Sequence, residues 1–307
     1  MTSNQAISMP TALAASYAHC EHVAKTQARN FYYSFLTLSA ERKAAMCAIY
    51  AFMRYSDDVS DEAAADRTKA REMTEWRAAL DRAFRGDYGD SLILPAFHDT
   101  VQKYGIPARY FHELIDGTEM DLTKKRYETF EELHQYCYRV ASVVGFVCIH
   151  VWGFDEAGGR ALEYAEDCGL AFQLTNILRD VKEDAERDRI YLPQEDLRRF
   201  GVSEEDLKRG SLNDNFRELM RYEADRAKNY YDRAGQLMPL VHPAGRPTLT
   251  IMMKIYRGIL DSIERNNYDV HSRRARISTP RKLSIVAGAW LKSRLTGAPS
   301  PPKSPSP

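Results

Sequence analysis

The sequence predicts a single all-α domain, and three observations carry that prediction. Apolar residues recur at helical spacing along most of the chain. Alternating runs bounded by Asn-Gly or Asp-Gly turns, the mark of hairpins, are nearly absent. Glycine and proline punctuate the helical segments, at Gly86, at Gly105-Ile-Pro107 and at Ile190-Tyr-Leu-Pro193. With 44% apolar and 28% charged residues in 307, a sizeable core is available.

Taken in order, residues 1–10 read as a loose tail, and the domain runs over 11–295. A helix is expected from Thr11 to Lys25, then an aromatic-rich entry at Ala28-Arg-Asn-Phe-Tyr-Tyr-Ser-Phe35. Ser39 is the expected N-cap of a long helix. Further helices are expected over Asp66–Arg85, Leu94–Tyr104 and Ala108–Thr118, the last ending around Gly117. Thr129-Phe-Glu-Glu132 reads as a capping box opening Phe130–Trp152. Glu156–Asp188, Glu195–Phe200, Asn213–Leu237, Arg246–Asn267 and Thr279–Arg294 complete the series. Residues 296–307, rich in Pro and Ser, are expected to be disordered.

Composition narrows the function. Formal net charge is zero, from 43 Lys and Arg against 43 Asp and Glu, and no basic stripe interleaves with aromatics, so nucleic acid is not an expected partner. The five cysteines are odd in number, scattered and without a CxxC pair, which points to reduced thiols in the cytoplasm and away from zinc. Met1–Pro10 lacks the apolar run of a secretory signal. The most apolar stretch, Val140–Trp152, is too short to span a bilayer. A soluble protein is expected, in contact with a membrane surface at most.

The motifs carry the chemistry. In Gln173-Leu-Thr-Asn-Ile-Leu-Arg-Asp-Val-Lys-Glu-Asp184, about 100° of turn per residue puts Gln173, Asp180 and Asp184 on one stripe with Asn176 beside it. Tyr50, Arg54, Asp57 and Asp61 stand at offsets 0, 4, 7 and 11 along one face of an earlier helix, as Gln173, Asp180 and Asp184 stand at 0, 7 and 11. Carboxylates four residues apart are common on solvated helices. Here both pairs sit among neutral hydrogen-bonding residues and follow apolar runs. Two acidic helices facing one another would hold hard divalent cations, magnesium or manganese, that share phosphate oxygens. Arg54 and Arg179 suit diphosphate oxygens through forked hydrogen bonds. The small residues Ala141, Ser142 and Gly145 would let helices approach closely or would line a narrow apolar tunnel. A diphosphate head with a greasy tail fits such a site.

These motifs resemble the squalene and phytoene synthase family. So do Asp116-Gly-Thr-Glu-Met-Asp121, Tyr136-Cys-Tyr-Arg-Val-Ala-Ser, Arg189-Ile-Tyr191-Leu-Pro193 and Ile255-Tyr-Arg-Gly-Ile-Leu-Asp261, the whole spanning about residues 25–292. The resemblance implies an isoprenoid synthase fold, a helical bundle around a central cavity, and head-to-head (1′-1) condensation of two prenyl diphosphates. It implies metal at Asp57, Asp61, Asp180 and Asp184, supported by Gln173 and Asn176, with diphosphate on Arg54 and Arg179. Tyr50, Tyr136 and Tyr191 would stand near the reacting carbons, Phe31 would help position a chain, and Asp121 matches a further acidic position. Within the family the motifs look closest to presqualene-diphosphate synthases, which take farnesyl diphosphate and need no NADPH. Phytoene synthases, taking geranylgeranyl diphosphate, are the alternative, and a non-catalytic lipid-binding relative is another. The last helix carries Arg281, Lys282, Lys292 and Arg294 around Leu283, Ile285, Val286, Trp290 and Leu291. It reads either as a core helix with basic ends or as a helix resting on an anionic membrane.

Overall fold

A computed structural model describes residues 9–28, 31–61 and 66–295. Both expected tails, apart from Met9 and Pro10, lie outside the described residues, as do the side chains of Asp61 and Arg294. The described residues form α1 (Met9–Gln27), α2 (Phe31–Phe35), α3 (Ala40–Asp61), α4 (Asp66–Ala83), α5 (Leu94–Tyr104), α6 (Arg109–Thr123), α7 (Phe130–Cys137) and α8 (Val143–Trp152). There follow α9 (Arg160–Glu186), α10 (Gln194–Phe200), α11 (Glu204–Arg209), α12 (Asp214–Ala234), α13 (Arg246–Arg265) and α14 (Thr279–Leu295). Extended pairing among them is limited to isolated bridges, Arg126 with Ile190 and Phe154 with Val241. The architecture is all-α, as the punctuation implies.

Local chemistry explains most boundaries. The Ser39 hydroxyl accepts the Arg42 N–H at the start of α3, and Gly105, at φ 59°, closes α5 in the left-handed conformation that glycine adopts without penalty. The capping box at α7 is only half made. Thr129 caps through the Glu132 N–H, but the Glu132 carboxylate accepts from the Glu128 N–H and from Lys124. A complete box, Ser203 with Asp206, starts α11, a short helix that the apolar periodicity does not reveal.

Four expectations are corrected. Helix α1 begins at Met9, so Met9 and Pro10 are helical rather than tail. Gly117 does not end α6, which runs on to Thr123. Its missing Cβ is what the packing uses, since a methyl there would sit 2.8 Å from Arg139 Cβ and from Val140 Cγ1. The Phe130–Trp152 run is not one α-helix but is broken by a π-helical turn over Tyr138–Ser142. The helix expected from Glu156 is preceded by a 3₁₀ turn at Ala157–Gly159 and starts at Arg160.

Helix α9 is the axis of the fold and packs against α7, α8, α12, α13 and the π-turn. The approach of the π-turn and α8 depends on two glycines. A Cβ on Gly169 would lie 2.5 Å from Ser142 Cα, and one on Gly145 would lie 3.0 Å from the Ala165 carbonyl oxygen. At the other side α3, α5 and α6 meet through Phe52, Phe97 and Phe111, with Phe52 stacked on Phe97 at 4.2 Å and Phe97 edge-on to Phe111 at 4.6 Å. Each such pair adds about 0.5–1.5 kcal/mol beyond the area it buries.

Candidate active site

Between α3, α8, α9 and α13 lies a cavity enclosing about 1130 Å³ of empty space, its mouth included. Its walls are mostly apolar, with Met46, Ile49, Val144, Cys148 and Leu249 among them. Both glycines of the α8–α9 contact line it too. Ala141, Gly145 and Gly169 therefore serve close packing and the tunnel wall at once, while Ser142 packs against Gly169 without lining the cavity.

The polar end is built from α3 and α9. Tyr50, Arg54 and Asp57 line the mouth from α3, and Gln173 and Asn176 from α9, while Phe31 enters from α2. The α3 stripe thus falls where its helical offsets place it. Burial pushes the Tyr50 hydroxyl up to about 12, so it stays a proton donor across the physiological range. Arg54 donates to Asp58 rather than to Asp57. Asp61 ends α3, and its side chain lies outside the described residues. Tyr256, stacked on Phe172 at 4.4 Å and tilted against Phe31 at 5.8 Å, closes the aromatic side of the mouth.

On the continuing face of α9, Asp180 takes a forked pair of hydrogen bonds from Arg179. It also accepts from Arg274, at 2.9 Å from Nε. Arg274 further pairs with Glu183 at 3.3 Å. Asp184 lies beyond, in a small cleft with Arg189 and Tyr191. Burial, with Asp180 and Asp121 adding to it and Arg189 and Arg187 opposing, raises its carboxyl to about 7.

Tyr136 and Tyr191 do not line the large cavity. They donate to the two oxygens of Asp121, at 3.0 and 2.8 Å, in a buried cluster beside Asp184. Tyr127 stacks on Tyr191, ring centres 5.9 Å apart, and its buried hydroxyl has no hydrogen-bond partner. Burial holds both Tyr136 and Tyr191 far above the ordinary phenol range. The expected site residues therefore fall into three places: the mouth, the Asp180 face and the tyrosine cluster.

Whether these residues suit a hard cation can be judged from their donor atoms. Among the described residues, no group of three or more His, Cys, Asp or Glu side chains is gathered closely enough to hold a metal. Two features nonetheless fit one. Asn176 Oδ1 is buried without a hydrogen-bond partner while its Nδ2 donates to Gln173, and a buried oxygen of that kind normally has one. Asp184 is a buried acid facing two other carboxylates. The donors suit a cation that completes its shell with water and diphosphate oxygens rather than a closed protein cage.

Arg274 and Tyr127 escaped the sequence reading, as did Phe172 on the cavity wall. Arg274 stands on an irregular segment whose neighbours Ala275 and Ile277 are buried. The basic run Arg273-Arg274-Ala-Arg276 was the available signal. Tyr127 gives no periodic signal, because it lies between helices.

An all-helical bundle with an acidic and basic mouth over an apolar cavity is an isoprenoid synthase fold. The chain belongs to the squalene/phytoene synthase family, which it matches over residues 24–281. It is 40% identical over 291 residues to a 15-cis-phytoene synthase of Synechocystis sp., covering 91% of this chain and 86% of that one. It is 36% identical to phytoene synthase 1, chloroplastic, of Arabidopsis thaliana, covering 92% of this chain and 68% of the relative. Among solved structures it is similar to a dehydrosqualene synthase in complex with ligand, with TM-score 0.84, 28% identity, and 94% and 99% of the two chains covered. A squalene synthase HpnC from Alicyclobacillus acidocaldarius gives TM-score 0.77 at 27% identity, covering 84% and 96%. Membership makes the chain a prenyltransferase of the head-to-head class.

Proposed function

We propose that the chain joins two molecules of geranylgeranyl diphosphate head to head to give phytoene, with magnesium, or manganese in its place, at the mouth and without NADPH. One observation carries the choice of substrate: the relatives in sequence, at 36–40% identity over about nine-tenths of this chain, bear the name phytoene synthase. The motif resemblance to presqualene-diphosphate synthases yields to it. The structural likeness to a dehydrosqualene synthase keeps joining of two farnesyl diphosphates as the second reading.

In this reading Asp57, Asp180, Asp184 and Asn176 would hold the metal, and the described residues leave any share of Asp61 to experiment. When bound, the metal supplies positive charge to a departing diphosphate. The chain's own residues do the rest. Arg54 at the mouth, and Arg179 and Arg274 on the Asp180 face, offer guanidinium groups to diphosphate oxygens. The apolar wall receives the prenyl tail and keeps water from the allylic cation left behind. The rings of Phe31, Tyr50, Phe172 and Tyr256 supply faces that tolerate positive charge. Tyr136 and Tyr191, fixed on Asp121, stand on the far side of the acidic face as fixed hydroxyls, with Tyr127 packed against them.

The same reading extends to the surroundings of the protein. The cysteines are free and buried, which suits a reducing cytoplasm. No helix among the described residues is long and apolar enough to cross a membrane. Helix α14 exposes Leu283, Trp290, Leu291 and Leu295 and carries no acidic residue, which supports peripheral contact with an anionic bilayer. Flotation with anionic vesicles tests that contact, and failure to float would end it.

The test of the activity is incubation of the purified protein with magnesium and either farnesyl or geranylgeranyl diphosphate, with and without NADPH, and mass spectrometry of the extract. Phytoene from the longer substrate without NADPH is expected. A cyclopropyl or dehydrosqualene-type product from farnesyl diphosphate alone would establish the second reading. No product from either would return the chain to a lipid-binding role.

A further inference from the structure

We propose that Trp152 is the floor of the prenyl-chain cavity and a specificity-determining residue, the bulk of its indole setting the longest tail the site accepts. The proposal rests on reading this cavity as the chain site.

Three helices give the cavity a direction. On α9 the lining runs from Ala165 to Asn176, and on α3 from Met46 to Asp57, about 16 Å in each case at 1.5 Å per residue. Asn176 and Asp57 mark the polar mouth, so Ala165 and Met46 mark the other end. Helix α8 runs antiparallel to α9, because Ser142 meets Gly169 while Gly145 meets Ala165. Trp152, seven residues beyond Gly145, therefore lies past Ala165 and away from Asn176. An independent contact agrees. A Cβ on Gly153 would sit 3.9 Å from Arg42 Nη2, at the start of α3, about 22 Å of helix from Asp57. Trp152 lines the cavity there with Leu237 and Leu249.

The floor is braced from behind. A Cβ on Gly245 would fall 2.5 Å from Trp152 Cβ and 3.1 Å from its Cγ. The turn that opens α13 thus presses its backbone directly against the tryptophan. His242 N–H donates to the Gly153 carbonyl at 2.8 Å and Asp155 N–H to the Leu240 carbonyl at 2.9 Å, which ties the chain after Trp152 to the same turn. A tail pushing on the indole meets fixed backbone rather than a side chain able to swing aside.

The chemistry of the position points the same way. Trp152 is 2% exposed, and its indole N–H has no hydrogen-bond partner. Buried tryptophans ordinarily find one. A phenyl ring or an aliphatic chain would fill an apolar core there without an orphaned donor. What tryptophan adds is volume, and at the blind end of a cavity volume sets depth.

The experiment uses the full chain as wild type, Trp152→Phe and Trp152→Ala. Unreactive thiolodiphosphate analogues with 15-, 20- and 25-carbon tails are titrated calorimetrically with magnesium present. The same three diphosphates are then supplied as substrates, and products are sized by mass spectrometry. In Trp152→Ala, affinity for the 25-carbon analogue relative to the 20-carbon one should rise by about tenfold or more. Trp152→Phe should fall between, and longer products should appear. An unchanged ratio in folded variants overturns the proposal, and Trp152→Phe decides it alone if the alanine variant does not fold. Turnover by wild type with no shift in tail preference sinks the floor but leaves the proposed reaction. A shift in binding preference with no turnover from any tail sinks the reaction but leaves the floor. No binding of any analogue overturns both.

Discussion

Asp180 receives hydrogen bonds from two guanidinium groups, Arg179 from its own helix and Arg274 from the segment before α14. Its side chain is only 16% exposed. Asp180→Asn should lower kcat by roughly 10²–10³-fold, the size of losing one fixed electrostatic partner of a developing charge. Far-UV circular dichroism should be unchanged, and a near-normal rate would remove Asp180 from the site. Arg274 is half exposed and pairs with the carboxylates of Asp180 and Glu183, so Arg274→Ala should act on binding. A loss of roughly 10–100-fold in kcat/KM, the scale of one hydrogen bond to a charged group, should appear mainly in KM. An unchanged KM would return Arg274 to a purely structural part. At this scale the mouth was legible in the sequence, because the offsets that put Tyr50, Arg54 and Asp57 on one face need only the period of a helix. Arg274 was not, since its meeting with Asp180 spans 94 residues and arises from how the chain folds back. The same holds for the hydroxyls of Tyr136 and Tyr191, which turn to Asp121 instead of the large cavity.

Elements are held together by two kinds of contact with different signatures. Phe97 joins α3, α5 and α6 in a dry aromatic stack, and Phe97→Ala should cost about 3–5 kcal/mol in denaturant unfolding. A cost below about 1 kcal/mol would mean that the stack is not part of the working core. Between α10 and α12, Arg226 binds both Glu223 oxygens, at 2.6 and 2.7 Å, and Asp196 at 2.9 Å. One guanidinium thus serves two buried acids. Burial pushes the Glu223 carboxyl up to about 8, Arg226 opposes the rise and Asp196 adds to it. An unfolded glutamate titrates near pH 4.3. Between that pH and about 8 the folded chain holds more protons, so this group's contribution to stability falls as pH rises. Glu223→Gln should flatten the stability profile over that window, and a profile that keeps its slope would assign the titration elsewhere. The long helices were readable from periodicity, whereas the short α2 and α11 were not. The π-turn was not, because Tyr138–Ser142 carries the same apolar pattern as the helices around it and differs only in how it meets Gly169. Gly117 misled for the opposite reason. It looks like a stop, yet the space it leaves is filled by Arg139 and Val140.

The whole molecule is a bundle in which close helix contact and an internal cavity share the same small residues. A ligand that spans mouth and tunnel should therefore bind the folded state alone and stabilise it. Magnesium with an unreactive prenyl diphosphate analogue should raise the melting temperature together, more than either does alone, by the stabilisation that saturating ligand confers. Equal shifts from magnesium alone would place the metal away from the diphosphate. Whole-chain identity was legible early because several long motifs stand in the right order, whereas tail length was not, since cavity depth depends on which side chain closes the far end. The proposed reaction joins two twenty-carbon tails head to head in this cavity. It is tested most directly by giving the protein equal amounts of farnesyl and geranylgeranyl diphosphate with magnesium and no NADPH. Phytoene as the main extracted hydrocarbon is the expected result. Products built only from farnesyl units, or both substrates recovered intact, would contradict it.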